Sequence, residues 1–487
     1  MFRKVPPLVW LAVPLICLLY FYNLGAAGML GPDEPRYAAI GREMARSGDW
    51  ITPRLWGQPW FEKPALLYWM TGAGFKLGLG PDLAPCVPVV LLSVAFLVFY
   101  WWILRREFGC RPAWFSVLIL GTAGMWLGFS QVGVTDLPLA ATFSAAMLLA
   151  LPWVARKDSR LLPVASAMLG LAVLAKGLVP LVLAAPLALG LRRVRDLLSP
   201  RIIVPFLLVA LPWYVLCTLA NGRAFLADFF WKQHFERFSS PTLAHGQPWW
   251  FYLPVLAAAL LPWTPLLALL FRREPYRDVR RLFLLAWLLF GLVFFSAATN
   301  KLAGYVLPLL PAAAALMALA LEEARRARAW LAVCALLLAA YWIAAPMIPV
   351  ALESGLSHAP LPAFQWTWLF PLGFAAAAWL LDTRSRRLAA VFCVAVGVAT
   401  GTVWLKHAAL PEINRTVSPR GLWDEISSRA DHICVDQIGR DWRYGLNYYS
   451  VEPLPDCSEQ PRPLWLRQAP GQRPALIAAP SATDAAR

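Results

Sequence analysis

Long apolar segments separated by short polar connections occupy most of this chain up to residue 406. Apolar runs of about 20 residues match the hydrocarbon thickness of a bilayer, so each segment is predicted to be a transmembrane helix. The fifth and sixth segments are short for a straight span, and together they could form a re-entrant pair that meets at Lys176-Gly177. The thirteen predicted spans cover approximately residues 6–22, 84–104, 112–130, 137–154, 161–175, 178–191, 202–220, 250–271, 282–298, 303–321, 329–350, 366–381 and 388–406.

Three polar stretches break this pattern and are predicted to lie outside the membrane: two loops and the C-terminal stretch that follows the last span. Residues 23–81 form the first loop, in which 34–47 and 64–79 are predicted to be short interfacial helices. Residues 221–249 form a second loop that is dense in charged and aromatic side chains. The chain therefore divides into a transmembrane domain, residues 1–406, and a small soluble domain of mixed helix and strand, residues 407–487.

Within the polar C-terminal stretch, Ser418-Pro419 predicts a helix start, because Ser caps helices and Pro fits the first turn. Residues 432–435 and 464–466 are predicted strands, and the Pro- and Ala-rich end after Gly471 is predicted to be loose. Six of the eight cysteines lie in or beside apolar spans. The other two, Cys434 and Cys457, form a disulfide if this stretch lies in an oxidising compartment, and otherwise remain reduced.

Composition excludes a soluble globular protein, since 59% of the residues are hydrophobic and the mean hydropathy is +0.56. A net charge of +16 would suggest nucleic acid as a partner of a soluble protein. Here the basic residues cluster in alternate short loops, which the positive-inside rule places in the cytoplasm with the N-terminus. The first span has no cleavage site after it and is predicted to be retained. An odd number of spans then places the C-terminus outside, and no nucleic-acid partner is expected.

Charged and polar side chains gather at the ends of the predicted spans, all on the outer side. Lys and Arg bind phosphate oxygens, whereas Asp, Glu and His hold divalent ions or act as bases. This combination predicts one external site for a lipid-linked phosphosugar, whose phosphate would lie at this depth while its tail stays in the bilayer. The residues concerned are Asp33, Glu34, Arg36, Tyr37, Glu62, Lys63, Asp136, Lys176, His234, Glu236, Arg237, His245, Asn300, Lys301 and Tyr305.

Each of these side chains also has a simpler interpretation when it is taken alone. The acidic pair at the start of the first loop could be solvated or cap a helix, and a Lys before Gly could snorkel to the interface. Topology alone does not separate a transferase from a lipid-phosphate flippase or transporter. A flippase would place polar groups through the membrane midplane, whereas the charged groups here lie at one end of the spans.

The order of the polar motifs resembles a known family. The first loop contains Asp33-Glu34-Pro35-Arg36-Tyr37 and Trp60-Phe61-Glu62-Lys63-Pro64 through Tyr68-Trp69. These motifs are similar to the first external loop of bacterial lipid A 4-amino-4-deoxy-L-arabinose transferases, in the group related to protein O-mannosyltransferases with the GT-C fold. Later stretches that also fit are Thr135-Asp136, Ala175-Lys176-Gly177, His234 through His245, Pro248-Trp249-Trp250-Phe251-Tyr252 and Lys301 through Pro308.

The resemblance implies an integral membrane glycosyltransferase of the bacterial inner membrane, with its site, both loops and its C-terminus in the periplasm. The donor would be a sugar on polyprenyl (undecaprenyl) phosphate, and the acceptor lipid A or another lipopolysaccharide component. Transfer would be a single displacement with inversion at the anomeric carbon. Protein O-glycosylation is the alternative within the same enzyme class.

The resemblance also assigns roles to individual residues. Asp33 matches the essential acidic residue and Asp136 a second acidic residue near the site, so both are predicted to be catalytic. Glu62 matches a ligand of a divalent ion, Zn²⁺ or Mg²⁺/Mn²⁺, with His245 as its partner and His234 as the alternative. The predicted substrate-binding residues are Arg36, Tyr37, Lys63, Tyr68, Lys176, Arg237, Lys301 and Tyr305. The stretch 300–305 lacks the Pro that relatives often have before the Tyr, which leaves the sugar and the acceptor open.

Overall fold

The computed structural model describes residues 7–191, 199–229, 246–271, 274–469 and 471–479. Its helices are α1 (Pro7–Phe21), α2 (Asp33–Ser47), α3 (Leu66–Lys76), α4 (Cys86–Phe108), α5 (Cys110–Gly121), α6 (Gly124–Phe129), α7 (Asp136–Arg156), α8 (Leu162–Lys176), α9 (Val179–Leu183), α10 (Pro200–Leu226), α11 (Tyr252–Ala259), α12 (Val279–Ala297), α13 (Leu310–Glu323), α14 (Ala327–Leu336), α15 (Ala339–Ala344), α16 (Met347–Ser354), α17 (Phe370–Thr383), α18 (Arg387–Thr416), α19 (Pro419–Ile426) and α20 (Arg440–Tyr449).

Five short strands and several 3-10 helices complete these elements. The strands are β1 (Arg54–Leu55), β2 (Gln58–Pro59), β3 (Ile433–Asp436), β4 (Leu464–Arg467) and β5 (Ala475–Ala478). The 3-10 segments are Ala185–Gly190, Thr264–Phe271, Glu274–Arg277, Ala303–Leu309, Leu356–His358, Trp366–Leu369 and Ser427–His432.

The prediction of a polytopic helical membrane protein is confirmed. Within the described residues, seven helices are long and apolar enough to cross a membrane, and a helix pair bent by 117° at 252–271 would make an eighth span. Each of the predicted apolar segments is helical, although several are broken into shorter pieces. The total of thirteen spans stays a prediction. The seven helices are Cys86–Phe108, Asp136–Arg156, Pro200–Phe229, Val279–Ala297, Ala303–Glu323, Ala327–Ala344 and Arg387–Thr416.

Two of these spans are far more enclosed by protein than the others, namely Asp136–Arg156 and Ala303–Glu323. The second is rich in Ala, and small side chains let helix backbones approach closely in a membrane. Helix α7 packs against α4, α8 and the 3-10 segment Ala303–Leu309. The central spans of the bundle therefore start where two predicted site residues, Asp136 and Tyr305, are found.

The two helices predicted in the first loop are confirmed as α2 and α3. Helix α2 begins after Gly31, whose φ of +66° favours glycine, and ends at Gly48, whose amide donates to the Met44 carbonyl. Helices α2 and α3 approach closely at Gly41, where an added Cβ would lie 2.7 Å from the Thr71 side chain. Helix α2 is buried over most of its length rather than lying on an open surface.

The C-terminal stretch forms a three-stranded sheet in the order β3-β4-β5, with β3 and β4 parallel and β4 and β5 antiparallel. The helix start at Ser418 is confirmed, because the Ser418 side chain accepts a hydrogen bond from the Arg420 amide. The two predicted strands correspond to β3 and β4, and a disulfide joins Cys434 to Cys457 with their Cα atoms 4.9 Å apart.

Two features of this stretch were not predicted correctly. The end of the chain was expected to be loose after Gly471, yet β5 pairs with β4 there. Helix α20 was missed, although it carries a dense run of aromatic residues. Its side chains attach the stretch to the first loop: the Tyr448 hydroxyl donates to the Pro81 carbonyl at 2.6 Å, and the Tyr449 hydroxyl donates to Asp82 at 2.7 Å. Arg420 adds an ion pair of 2.9 Å to the same Asp82.

Candidate active site

A chain of ion pairs at the start of α2 brings together four of the predicted site residues. Arg36 pairs with Asp33, which precedes it by one helical turn, and its Nη2 lies 3.0 Å from Oε2 of Glu62. The other oxygen of Glu62 lies 3.4 Å from Nζ of Lys63. Only 4% of the Arg36 side chain is exposed, compared with 53% of the Asp33 side chain. Asp33 is therefore the carboxylate of this cluster that a substrate reaches most easily.

Aromatic rings surround the Arg36 guanidinium. Its central carbon lies 5.4 Å from the ring centre of Tyr37, 5.6 Å from that of Trp60 and 5.3 Å from that of Tyr444. Burial opposes the charged form, but the carboxylate of Glu62 beside it holds the pKa of Arg36 above its usual value. The buried Nε of Arg36 has no hydrogen-bond partner among the described residues. This donor is therefore a candidate for a contact with a ligand oxygen.

Tyr37 and Tyr68 lie next to the ion pairs of Asp33, Arg36 and Glu62. Their ring centres lie 5.9 Å apart, and both side chains are buried. Burial raises the pKa of both phenols, so both hydroxyls stay protonated at neutral pH. In the described part of the chain the buried Tyr68 hydroxyl has no hydrogen-bond partner. Because an unsatisfied buried hydroxyl is costly, Tyr68 is a second candidate donor to a substrate oxygen.

A separate ion pair lies at the ends of two spans. Asp136 is the first residue of α7 and Lys176 the last residue of α8, and Nζ of Lys176 lies 2.7 Å from Oδ1 of Asp136. Nζ also lies 5.0 Å from the ring centre of Tyr305. A Cβ added at Gly304 would lie 2.9 Å from the same Asp136 oxygen. The glycine in the unusual stretch 300–305 therefore leaves just enough room for this carboxylate.

The two groups of ion pairs belong to one region. Lys176 lies within electrostatic range of Asp33 as well as of Asp136. Glu34 links the same loops, because it accepts hydrogen bonds from the amides of Leu30 at 3.2 Å and Gly133 at 2.7 Å. Burial raises the pKa of Glu34 to about 7, although both amides oppose this shift. Glu34 thus ties the start of α2 to the loop that leads into Asp136.

Lys301 is used differently from the other predicted cations. Its ammonium donates to the backbone carbonyls of Gln247 at 3.0 Å and Ala298 at 2.6 Å. Its neighbour Asn300 forms an antiparallel bridge with Gly246. These contacts fasten residues 246–247 beside the start of the span at 303, and the substrate-binding role of Lys301 stays a prediction.

Four predicted site residues, His234, Glu236, Arg237 and His245, lie outside the described residues. In the described ranges, no group of three or more His, Cys, Asp or Glu side chains is arranged to hold a metal ion. Glu62 is therefore the one described member of the predicted metal pair, and its two oxygens face Arg36 and Lys63. The metal site stays a prediction.

Sequence reasoning missed the contribution of the C-terminal stretch. Tyr444 of α20 stacks on Trp56 with ring centres 5.7 Å apart and lies over Arg36. The available signal was compositional, because Trp442, Tyr444, Tyr448 and Tyr449 make an aromatic cluster in an otherwise polar stretch. No motif in the sequence placed that cluster next to α2.

Chemically, the site combines cations, carboxylates and aromatic rings at one end of a membrane bundle. Arg36, Lys63 and Lys176 carry positive charge that can compensate a phosphate group, and Asp33 is an exposed carboxylate that can act as a base. The rings around Arg36 provide flat apolar surface. Such a site can stabilise a phosphate that leaves a sugar carbon while a nucleophile attacks from the other side.

Comparisons with known proteins show similarity to one group of membrane glycosyltransferases. Residues 62–217 match the family described as dolichyl-phosphate-mannose-protein mannosyltransferase. The undecaprenyl phosphate-alpha-4-amino-4-deoxy-L-arabinose arabinosyl transferase of Pseudomonas aeruginosa is 35% identical over 323 residues, which is 63% of this chain and 58% of that protein. The match thus spans less than two thirds of the length of this relative. The corresponding protein of Edwardsiella ictaluri is 33% identical over 332 residues, 65% of this chain and 59% of its own.

Solved structures extend the similarity over nearly the whole chain. The crystal structure of ArnT from Cupriavidus metallidurans bound to undecaprenyl phosphate is 26% identical and covers 95% of this chain and 86% of its own, with a TM-score of 0.75. The apo structure of ArnT from that organism shares the fold, with a TM-score of 0.76. The resemblance drawn from the first-loop motifs is confirmed by these matches.

Proposed function

We propose that this chain is an integral inner-membrane glycosyltransferase that moves a sugar from undecaprenyl phosphate to lipid A or another lipopolysaccharide component. The observation that carries the proposal is the convergence of Arg36, Lys63 and Lys176 on one end of the bundle, beside the exposed carboxylate of Asp33. The similarity to ArnT from Cupriavidus metallidurans, whose crystal structure contains bound undecaprenyl phosphate, supports the choice of donor.

The proposed reaction is a single displacement with inversion. The acceptor oxygen forms a bond to the anomeric carbon as the bond from that carbon to the donor phosphate oxygen breaks. The departing electron pair goes to the phosphate, whose charge Arg36 and Lys63 compensate. If the acceptor is a hydroxyl, its proton goes to Asp33. If the acceptor is a phosphate, no base is needed and Asp33 orients the substrate.

Binding of a divalent ion is part of the proposal, and Glu62 is the one proposed ligand that lies within the described residues. Two cations already lie against the oxygens of Glu62 at 3.0 and 3.4 Å. A dication at that carboxylate would have to displace at least one of them. The described residues alone do not fit a resident metal, so no step is assigned to one. Activity that survives exhaustive chelation in the purified protein would remove the metal from the proposal.

The proposed orientation has the N-terminus in the cytoplasm and the site and C-terminus in the periplasm. The disulfide between Cys434 and Cys457 supports it, because structural disulfides persist in oxidising compartments. Labelling of a cysteine-free variant with one new Cys in the C-terminal stretch would test the orientation. An impermeant reagent applied to spheroplasts should modify that Cys.

Protein O-glycosylation is the second candidate. It is favoured by the match of residues 62–217 to a family whose description names protein mannosyltransferases. A lipid flippase is less well supported, since the described ion pairs around Asp33 and Asp136 lie at the ends of helices.

Mass spectrometry of envelope lipids and proteins from cells with and without the gene tests the proposal directly. A glycosylated lipid that depends on the gene is expected, and it should disappear with Asp33→Asn at normal protein abundance. Asp424→Asn, which removes an exposed carboxylate of the C-terminal stretch, should leave the product unchanged. A glycosylated protein in place of a lipid would favour the second candidate, and no glycosylated product of either kind would contradict both.

A further inference from the structure

A cavity of about 530 Å³ lies between the C-terminal half of α2, the end of α3 and the end of α20. Three cations line it: Arg42 and Arg46 from α2, and Lys76 from α3. No acidic side chain is among the lining residues, which are completed by Ala45, Phe75, Leu79, Gly80, Pro81, Tyr448, Tyr449 and Val451. The cavity is therefore positively charged and has a partly aromatic wall.

Within the described ranges, none of the three cations of this cavity is held in an ion pair, although Glu43 lies within electrostatic range of Arg42. They differ in this from Arg36, Lys63 and Lys176, each of which pairs with a carboxylate. Two acidic residues lie nearby: Glu43 accepts a hydrogen bond from the Gly57 amide at 3.0 Å, and Asp82 pairs with Arg420 at 2.9 Å. Neither carboxylate is among the groups that line the cavity. Three cations that face one space, with no carboxylate among the lining groups, favour an anion in that space.

Arg42 is the buried cation of this cavity. It is only 9% exposed, its guanidinium lies 4.5 Å from the ring centre of Tyr448, and its Nη1 donates to the Tyr448 carbonyl at 2.8 Å. Burial lowers the pKa of Arg42, and this effect outweighs the opposing influence of Tyr448 and Glu43. A buried guanidinium without a carboxylate partner is costly unless a ligand supplies one. Its fork geometry suits two oxygens of a phosphate.

The position of the cavity identifies the kind of anion. Residues 77–85 connect α3 to α4, whose first residue, Cys86, begins a membrane-spanning helix. Leu77 in this connection is 81% exposed and Leu83 is 37% exposed, as expected for side chains that face lipid. The cavity next to this connection is therefore at the depth of lipid headgroups, where phosphate groups are concentrated.

We propose that this cavity binds the phosphate of an anionic lipid headgroup, at a site distinct from the donor phosphate pocket. The two sites share two helices. Arg36 and Arg42 are six residues apart on α2, or about 9 Å along the helix axis. Tyr444 lies over Arg36, whereas Tyr448 and Tyr449, one turn further along α20, line the cavity. A bound headgroup would therefore bridge α2 to the C-terminal stretch and hold Tyr444 against the donor site.

The test measures lipid binding by the full chain in a detergent with an uncharged headgroup, without donor or acceptor. The probes are phosphatidylglycerol, phosphatidylcholine and inorganic phosphate, and the readouts are the dissociation constant and the thermal unfolding midpoint. Phosphatidylglycerol should bind at least tenfold more tightly than phosphatidylcholine and should raise the midpoint. Because this readout requires no transfer reaction, it is independent of the proposed function.

The discriminating variant is Arg46→Gln with Lys76→Gln, which removes two exposed charges and keeps the buried Arg42. It should weaken phosphatidylglycerol binding at least tenfold and abolish the shift of the midpoint. The matched control is Arg429→Gln with Arg462→Gln, which removes the same charge from the C-terminal stretch outside the cavity and should stay within twofold of the parent. Equal loss in both double variants, equal binding of the two lipids, or full saturation by inorganic phosphate with no added effect of lipid would overturn the proposal.

Discussion

The ammonium of Lys176 lies 2.7 Å from the carboxylate of Asp136, and these two residues close one helix and open another. Lys176 is at the C-terminal end of α8 and Asp136 at the N-terminal end of α7, so each charge also complements the dipole of its own helix. Both side chains are less than one-fifth exposed. The pair is therefore held by the bundle itself rather than by a mobile loop.

This geometry predicts that the two residues act as a unit. Asp136→Asn and Lys176→Gln should each lower the transfer rate by ~100-fold, and the double variant should be no worse than the poorer single variant, because residues in contact are not additive. The measurement is a double-mutant cycle on the initial rate of transfer with purified protein. If the fold-loss of the double variant equals the product of the two single fold-losses, the two residues act independently.

Gly304 offers a second way to test the same carboxylate. An Ala at this position would place its Cβ 2.9 Å from Oδ1 of Asp136 and 3.0 Å from the ring of Phe129. Either side chain must move, so Gly304→Ala should weaken the contact with Lys176 and reduce the transfer rate by roughly tenfold.

The matched control for that prediction is Gly373→Ala, at a glycine where an added Cβ meets no atom within 4 Å. It should leave the rate unchanged. If the two Ala variants turn out equally active, the space beside Asp136 has no importance for the reaction.

Glu34 gives the protein a specific pH dependence. Burial raises the pKa of its carboxyl from 4.5 to about 7, so the folded state holds this proton more tightly than the unfolded chain does. Protonation of Glu34 therefore contributes to the free energy of unfolding. This contribution is fully present below about pH 4.5, is lost as the pH rises through about 7, and amounts to about 3 kcal/mol in total.

The variant Glu34→Gln should remove this dependence while its amide oxygen still accepts from the Gly133 amide. Thermal unfolding midpoints of the two proteins at pH 5 and pH 8 measure the effect. The difference between variant and parent should favour the variant more at pH 8 than at pH 5. Glu353→Gln, at an exposed carboxyl of α16, is the control, and a parallel pH profile for parent and Glu34→Gln would contradict the assignment.

The sequence was a good guide to local structure and to which residue types gather at one end of the bundle. The pattern of residues 34–47 predicts a helix, and α2 spans Asp33–Ser47. Loop charges placed Asp136 and Lys176 on the same side of the membrane, and they are in contact. These successes share a cause, because both signals are local in the sequence. The length of each apolar segment indicates where a helix crosses the membrane, and the loop charges indicate on which side each loop lies.

The features that the sequence did not predict depend on contacts between distant parts of the chain. Tyr444 reaches Arg36 across roughly four hundred residues of sequence, and no periodicity reports such a contact. Lys301 has the residue type of a phosphate ligand, but its ammonium is used by two backbone carbonyls. Strand β5 lies in a Pro-rich end that favours disorder by composition, and its pairing with β4 outweighs that tendency.

The final prediction concerns the donor phosphate and Lys63. Nζ of Lys63 lies 3.4 Å from Glu62, which also pairs with the buried Arg36, so a phosphate beside Lys63 would be shared with that cluster. Lys63→Ala should raise the KM for the polyprenyl-phosphate sugar and lower kcat, because compensation of the leaving phosphate is lost. Lys63→Arg should restore charge but not full activity, since a planar guanidinium differs in shape from an ammonium. Transfer rates against donor concentration for the parent and both variants measure this. If Lys63→Ala retains the rate and the donor dependence of the parent, the phosphate is held elsewhere, and Lys176 becomes the first cation to test.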